Sequence, residues 1–374
     1  MKSPPFCPNK ACSNYRHPPA NGHRWFSKRG FYHRKQGEAI QRFTCRSCGH
    51  SFSSRTFSID YRTNKHLSYH RIFTHLITCS GIRDIARDLR VAPTTVINRI
   101  SRLSRQTQAA HRELVSQIHL AEELAADGFE SFAVSQYYPN NIHLLAGKSS
   151  QFWYATDYAH LRRKGCMTEG QKERNRVLQQ AFFSGRTTIY RSFSRIVEAI
   201  EQLLQTVSVP SVTLHTDDHI QYRRVLSAMA PDLRCCIRHV ITSSKKARTV
   251  TNNLFAVNYL DRELRKDCAE HVRETMKYAR NVSNCLERLA IYRFYHNYMK
   301  PFRIDEAEYR CIGHGMMAGL DGREVAKQVK TLFTRRRFLF RTEGMSFSEA
   351  LVWLRGVATP LKRYAEYLPA YAWD

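Results

Sequence analysis

The chain has 374 residues, 43% hydrophobic and 24% charged, which is too long for one small core and ordinary for a folded protein of two or three domains. Its 59 Lys and Arg against 32 Asp and Glu give a net charge of +27, spread along the whole length, so the favoured partner is a polyanion, nucleic acid before any other; a merely basic protein, such as a ribosome-associated one, is the alternative. No run approaches the roughly 18 apolar residues of a membrane span, and the opening Met-Lys-Ser-Pro-Pro-Phe-Cys has no apolar stretch of a secretory signal, so an intracellular location is expected, with the 11 cysteines as thiols or metal ligands.

Residues 1–58 carry Cys7-Pro-Asn-Lys-Ala-Cys12 and Cys45-Arg-Ser-Cys48. Two close cysteine pairs separated by a loop supply the four thiolates of a tetrahedral zinc site. Trp25, Phe26, Tyr32 and Phe43, interleaved with basic residues, fit the short strands of a zinc ribbon. Four cysteines leave no position for water, so the expected zinc is structural. His50 reads as a surface histidine.

Residues 59–118 turn helical. The pattern predicts helices over 66–78, 82–89 and 93–100, with a tight turn at 90–92 and a further polar helix over 104–118. Pro93 suits a first helical turn. A short helix, a turn and a polar-fronted second helix make a helix-turn-helix, a DNA-binding unit in which Thr94, Thr95, Asn98 and Arg99 would face the major groove. Ile85, Ala86, Leu89, Val96 and Ile100 would form its small core. A helical hairpin used only for packing is the alternative, and the arginines at 83, 87, 90, 99, 102 and 105 favour DNA.

Residues 119–305 read as an α/β unit. Strands are expected over 122–132, 141–146 and 151–157, the first carrying Asp127 and the last ending on Asp157. Amphipathic helices over 171–183 and 194–207 follow, then a strand over 212–214 that delivers Asp217 and Asp218, a helix over 221–229 and a strand over 234–241. After the basic loop 243–248, containing Ser244, come a charged helix over 258–280 and an apolar one over 285–298. The charged helix holds Asp261, Glu263, Asp267, Glu270 and Glu274. That order is the order of an RNase H-like mixed sheet, with Asp127 and Asp217 on neighbouring strands. Residues 306–374 form a basic helical extension containing Arg335-Arg336-Arg337.

Two carboxylates can bridge two Mg²⁺ or Mn²⁺ ions about 3.5–4 Å apart, and a third from a helix completes such a shell. Asp127 and Asp217 are the first two candidates. Asp218 reads as a helix-start residue, Asp157 as a loop residue or a rival acid, His296 as a structural histidine rather than a base, and Cys235-Cys236 as core. Lys245-Lys246 and Arg335–Arg337 read as phosphate contacts.

Taken together, the sequence resembles the DDE-type transposases of bacterial insertion elements that place a zinc ribbon and a helix-turn-helix ahead of an RNase H-like catalytic domain. The resemblance is carried by the two cysteine pairs, the helices over 82–103, Ala126-Asp127-Gly128, Thr216-Asp217-Asp218-His219-Ile220-Gln221-Tyr222, and Tyr295-His296-Asn297-Tyr298-Met299-Lys300-Pro301. It covers residues 5–305 and implies metal-dependent strand cleavage and strand transfer by Asp127, Asp217 and a third acid. It also implies binding to double-stranded DNA (element ends and target), a homo-oligomer on that DNA, and a cytoplasmic place at the nucleoid. The family pattern expects a glutamate as third acid. Here one register puts Asn258 in that place, another offers Asp261, and Glu263 is a further choice; Asp261 is preferred. With Asn258 there, the protein would be a sequence-specific DNA-binding regulator with an impaired core; a nuclease without strand transfer is the other alternative.

Overall fold

In the computed structural model, three antiparallel strands open the fold: β1 (Phe26–His33), β2 (Ala39–Cys45) and β3 (Ser51–Ser53), in that order across a small sheet. The structure describes residues 3–15, 17–19, 24–33, 39–182, 188–205, 211–243, 245–272, 275–337, 344–362 and 366–372. The expectations made for Phe183, Val207, Ser244 and Glu274 lie outside these residues. Phe26 pairs with Cys45 and Phe43 with Phe52 across the sheet. This register gathers Trp25, Phe26, Phe43 and Phe52 with the cysteines into a core separate from the rest.

Helices α1 (Tyr69–Ile77), α2 (Ile82–Asp88) and α3 (Pro93–Val115) follow. Ser68 caps α1 by accepting from the Arg71 N–H, and Asp84 accepts from the Gly81 N–H at the start of α2. Arg90 turns the chain between α2 and α3 with a φ of 51°. The sequence pattern gives a helix over 93–100 and a polar helix that continues over 104–118. The two are one helix of 23 residues, because no glycine or proline interrupts it and Val96, Ile100, Leu103, Ala110 and Leu114 keep one buried stripe throughout.

The remaining elements are β4 (Leu124–Phe132), β5 (Pro139–Gly147), β6 (Trp153–His160), α4 (Glu169–Ala181), α5 (Thr188–Leu204), β7 (Val212–Thr216), α6 (Ile220–Ser227), α7 (Pro231–Arg234), β8 (Ile237–Ile241), α8 (Phe255–Asp267), α9 (Val282–Tyr298), α10 (His314–Met317), α11 (Gly322–Thr331) and α12 (Phe347–Trp353). The strands form one mixed sheet in the order β6-β5-β4-β7-β8. The first three are antiparallel neighbours, and β7 and β8 run parallel to β4. Side chains alternate between the two faces. Leu124, Ala126, Leu145 and Leu214 pack with Phe193, Ile196 and Ile200 of α5. Ala125, Phe129, Ile142 and Leu144 pack with Val257, Leu260 and Leu264 of α8 and with Leu286 and Leu289 of α9.

Several expectations are corrected here. Asp157 lies inside β6 rather than at its end. Helix α4 buries none of its residues, so it is a polar surface helix. The charged helix stops at Asp267, where Cys268 turns extended and the chain sends Glu270 and His271 into the interior. Cys235 is exposed rather than core, and both sulfurs of the Cys235-Cys236 pair point to the Asp232 carbonyl. A single core runs from Ile59 through Leu120 and the α5 face of the sheet to Trp353 and Tyr371.

Candidate active site and metal centres

Asp127 stands in the middle of β4, and its neighbours Ala125 and Phe129 point to the α8 face, so its carboxyl does too. The parallel pairing of β4 with β7 sets Leu124 against Leu214 and Ala125 against His215. Continued for two residues, it brings Asp127 beside Asp217, the first residue past the end of β7. Asp261 enters from α8, the helix lying on that same face. Burial and then the nearby Asp217 charge push Asp127 up to about 7, against the pull of the Gly128 N–H, 2.7 Å from its Oδ1. Burial and then Asp127 push Asp261 up to about 7 as well, while Arg265 and Arg248 oppose the rise. Burial, and then the charges of Asp127, Asp217, Glu130 and Asp261, push the Tyr222 hydroxyl of α6 up. Its ring is held by a stack on Phe193 at 4.1 Å and an edge contact with His143 at 5.6 Å.

Glu263 is placed differently. It is buried, and its carboxylate is bound by Lys300 and by Lys266 at 2.8 Å, which hold it below the usual range in spite of burial. Lys300 follows α9, so this pair pins the helix that carries Asp261. Asn297 adds a second tie: its Oδ1 accepts from the Trp153 N–H at 2.9 Å and its Nδ2 donates to the Trp153 carbonyl at 3.0 Å. His296 Nε2 lies 2.9 Å from the Gln151 carbonyl and its ring stacks on His314 at 4.0 Å, deep in the interior. His296 thus has the structural place expected of it, whereas the ties made by Glu263, Lys300 and Asn297 were missed in the sequence, although the stretch from Tyr295 to Pro301 was visible there as a unit. Asn258 is half-buried on α8, a turn before Asp261. Asp218 is exposed and paired with Arg223 just ahead of the α6 cap, His219, while Asp217 accepts from the His219 N–H at 3.0 Å. Asp157 points elsewhere, to Ser348 at 2.5 Å and Arg195 at 3.4 Å.

Cys7, Cys12, Cys45 and Cys48 converge so that one sulfur of each lies within 4.8 Å of the others, and they could hold a metal ion such as zinc. Cys7 lies 3.6 Å from Cys48, and Cys12 lies 3.6 Å from Cys45. Four sulfurs about 2.3 Å from a tetrahedral ion stand at about that separation. Gly49, with φ at +70°, lets the second knuckle turn back so that its N–H reaches the Cys45 carbonyl. The Asn14 amide donates toward Cys45 and to Ser47 Oγ, bracing the site. His50 is exposed and rests on Phe52. Among the described residues the other group of three or more ligand atoms this close is Glu270, His271 and Cys285. Asp127, Asp217 and Asp261 are not a group of that closeness.

Thr94 and Asn98 are exposed and Thr95 is half-exposed at the amino end of α3. Arg99 is not. It is buried and donates to the Lys65 carbonyl at 2.7 Å. Arg102 and Arg105 are buried too, bound to the Tyr61 carbonyl at 2.6 Å and the Trp353 carbonyl at 2.5 Å. Arg83, Arg87 and Arg90 remain exposed around the turn. In the tail Arg336 lies over the Tyr61 ring and Arg337 pairs with Glu113 at 2.8 Å, so only Arg335 of that run faces solvent. Lys245 and Lys246 are exposed, as expected.

No protein-family profile matches the chain, and no curated protein matches it in sequence. Among the described residues no helix is long and apolar enough to cross a membrane.

Proposed function

We propose that the protein is a DNA transposase with an RNase H-like catalytic domain, in which Asp127, Asp217 and Asp261 form the acidic site. The observation that carries this reading is the meeting of three carboxyl-bearing elements, β4, the end of β7 and α8, on one face of the sheet. Three antiparallel strands followed by two strands parallel to the first, with acids on the first and fourth strands, is the arrangement an RNase H-like domain needs. Mg²⁺ or Mn²⁺ held by these carboxylates would supply the positive charge that polarises a phosphodiester and activates the attacking oxygen. The chain's own residues do the rest. Gly128 and His219 donate backbone N–H groups that orient Asp127 and Asp217, and the Lys300–Glu263 pair holds α8 against the sheet. Arg248 and Arg265, whose charges reach the acids, stand where a phosphate backbone would pass.

The zinc ribbon and the exposed surface of Thr94, Thr95, Asn98, Arg83, Arg87 and Arg90 would bind element ends, with a homo-oligomer pairing two ends. Zinc in the four-cysteine site would be structural. Cys45→Ser is expected to lower bound zinc by one per chain and to weaken DNA binding; unchanged zinc content after metal analysis would remove the four-cysteine assignment.

The test is strand cleavage of DNA carrying the protein's own element ends with Mg²⁺ or Mn²⁺. Asp261→Ala is expected to reduce cleavage at least about 10³-fold, the scale of losing a group that acts only in the transition state, with end binding unchanged. Glu263→Ala is expected to lower stability before it lowers the chemical rate. If the wild type binds ends and never cuts, the reading as a DNA-binding regulator replaces this one. If it cuts but never joins ends to target DNA, the reading as a nuclease does.

A further inference from the structure

A second set of ligand atoms lies away from the acids. Where α8 ends, Cys268 turns the chain inward, and Glu270 and His271 become buried at 4% and 3% exposure. Cys285, on the first turns of α9 and equally buried, meets them there. One carboxylate oxygen, one imidazole nitrogen and one sulfur come within 4.8 Å of one another.

The details favour an ion over a set of ordinary hydrogen bonds. His271 is fixed on every side: Nδ1 is 3.0 Å from Ser131 Oγ, and the ring stands at 89° to Phe129, 5.1 Å away. A partner on one ring nitrogen that aims the other at a metal is the usual support of a ligating histidine. The aimed atom, Nε2, lies 3.7 Å from Cys285 Sγ. A nitrogen about 2.0–2.1 Å and a sulfur about 2.3 Å from one tetrahedral ion are about 3.6 Å apart. Glu270 Oε1 faces Arg288 at 2.8 Å without forming a hydrogen bond. The Glu270 carboxylate also accepts from its own backbone N–H, and its remaining lone pairs leave room for a further partner. Glu270 and His271 also line a cavity of about 620 Å³, shared with Ser131, His219 and Arg265, from which a water could complete a fourth position.

We propose that Glu270, His271 and Cys285 form a second zinc site, which ties the connection between α8 and α9 to the first turns of α9, beside the far end of β4. Mixed oxygen, nitrogen and sulfur donors suit Zn²⁺ and do not suit Mg²⁺. Phe129 and Ser131 stand two and four residues beyond Asp127 on the same face of β4, so the ion would sit roughly 13 Å along the strand from the acidic site. It would fix the segment that leaves the helix bearing Asp261, and it does not depend on the transposase reading.

The test counts zinc in the full chain by mass spectrometry after equilibration with Zn²⁺ and desalting. Two ions per chain are expected in the wild type, one in Cys285→Ala and one in Cys45→Ser, with none in the double variant. Ser131→Ala, which keeps every ligand, is expected to weaken the second ion about 10–100-fold. With Co²⁺ in place of zinc, Cys45→Ser should retain a weak thiolate-to-metal absorption band that the double variant of Cys45→Ser and Cys285→Ala lacks. One zinc per chain in the wild type, or two that survive Cys285→Ala in a folded protein, would overturn the proposal.

Discussion

Asp127→Asn is expected to abolish strand cleavage and, at the same time, to make the metal-free protein more stable at pH 8. Burial and the Asp217 charge push Asp127 from 3.8 up to about 7, so between these values the folded chain holds a proton that the unfolded chain has released. Stability contributed by such a group is fully present below about pH 4, falls as pH rises through about 7, and is constant beyond. A shift of about 3 units sets a ceiling of about 4 kcal/mol. Asp261 rises partly because of Asp127, so the two do not add, and about 1–3 kcal/mol is the expected gain for the single neutral variant at pH 8. Urea unfolding at pH 5 and pH 8 measures it. The wild type should lose more stability than Asp127→Asn across that interval, and Mg²⁺ should restore the wild type at pH 8 while leaving the variant unmoved. Parallel pH profiles without metal would show that the carboxyl carries no such strain. On the proposed function, the charge that the reaction would use is also one that the metal-free fold bears at a cost.

Glu287→Gln is expected to destabilise the protein by about 3–5 kcal/mol, the scale for breaking a buried ion pair from one side. Glu287 of α9 is 1% exposed; it meets Arg355 at 2.6 Å and Arg105 at 3.9 Å, and accepts from Ser101 Oγ at 2.7 Å. Arg355 has a second carboxylate, Glu366, at 2.9 Å. Arg105 has only neutral acceptors besides Glu287, namely the Ser101 hydroxyl and carbonyl and the Trp353 carbonyl. Loss of the Glu287 charge leaves that guanidinium buried without an anion. Ser101→Ala removes the hydroxyl's two hydrogen bonds, to Glu287 and from Arg105, and should cost about 2 kcal/mol. A Glu287→Gln urea midpoint within error of Ser101→Ala would mean that the network is held by packing instead.

The strands were legible, with Asp127 inside one and Asp217 just past the end of another, because apolar, β-branched runs ending in or enclosing aspartate leave a strong local signal. Asp261 was harder. Along α8 the apolar stripe is Val257, Leu260 and Leu264, and Asp261 and Glu263 flank it from opposite sides, about 200° apart. Periodicity finds the stripe but does not say which flank turns toward β7; that is decided by how the helix crosses the sheet and by Lys300, 37 residues on, which claims Glu263. The buried arginines were illegible for a related reason. Arg99, Arg102 and Arg105 look like the cationic face of a DNA-reading helix, yet their acceptors are carbonyls of Lys65, Tyr61 and Trp353, brought in by distant chain. Composition assigns such a residue to solvent, and only tertiary contact returns it to the core. The cysteine pairs needed no such help, since their spacing alone describes the closed site.

The unbroken α3 also has a mechanical meaning. At 23 residues it is a rod of about 34 Å; its free tip carries Thr94 and Asn98, and its shaft is embedded against α9. A tip mounted this way cannot swivel on the body that holds the acids. On the proposed function the protein would then behave as a caliper, with the span from the recognised base pairs to the severed bond built into one helix and the same on every DNA end it grips.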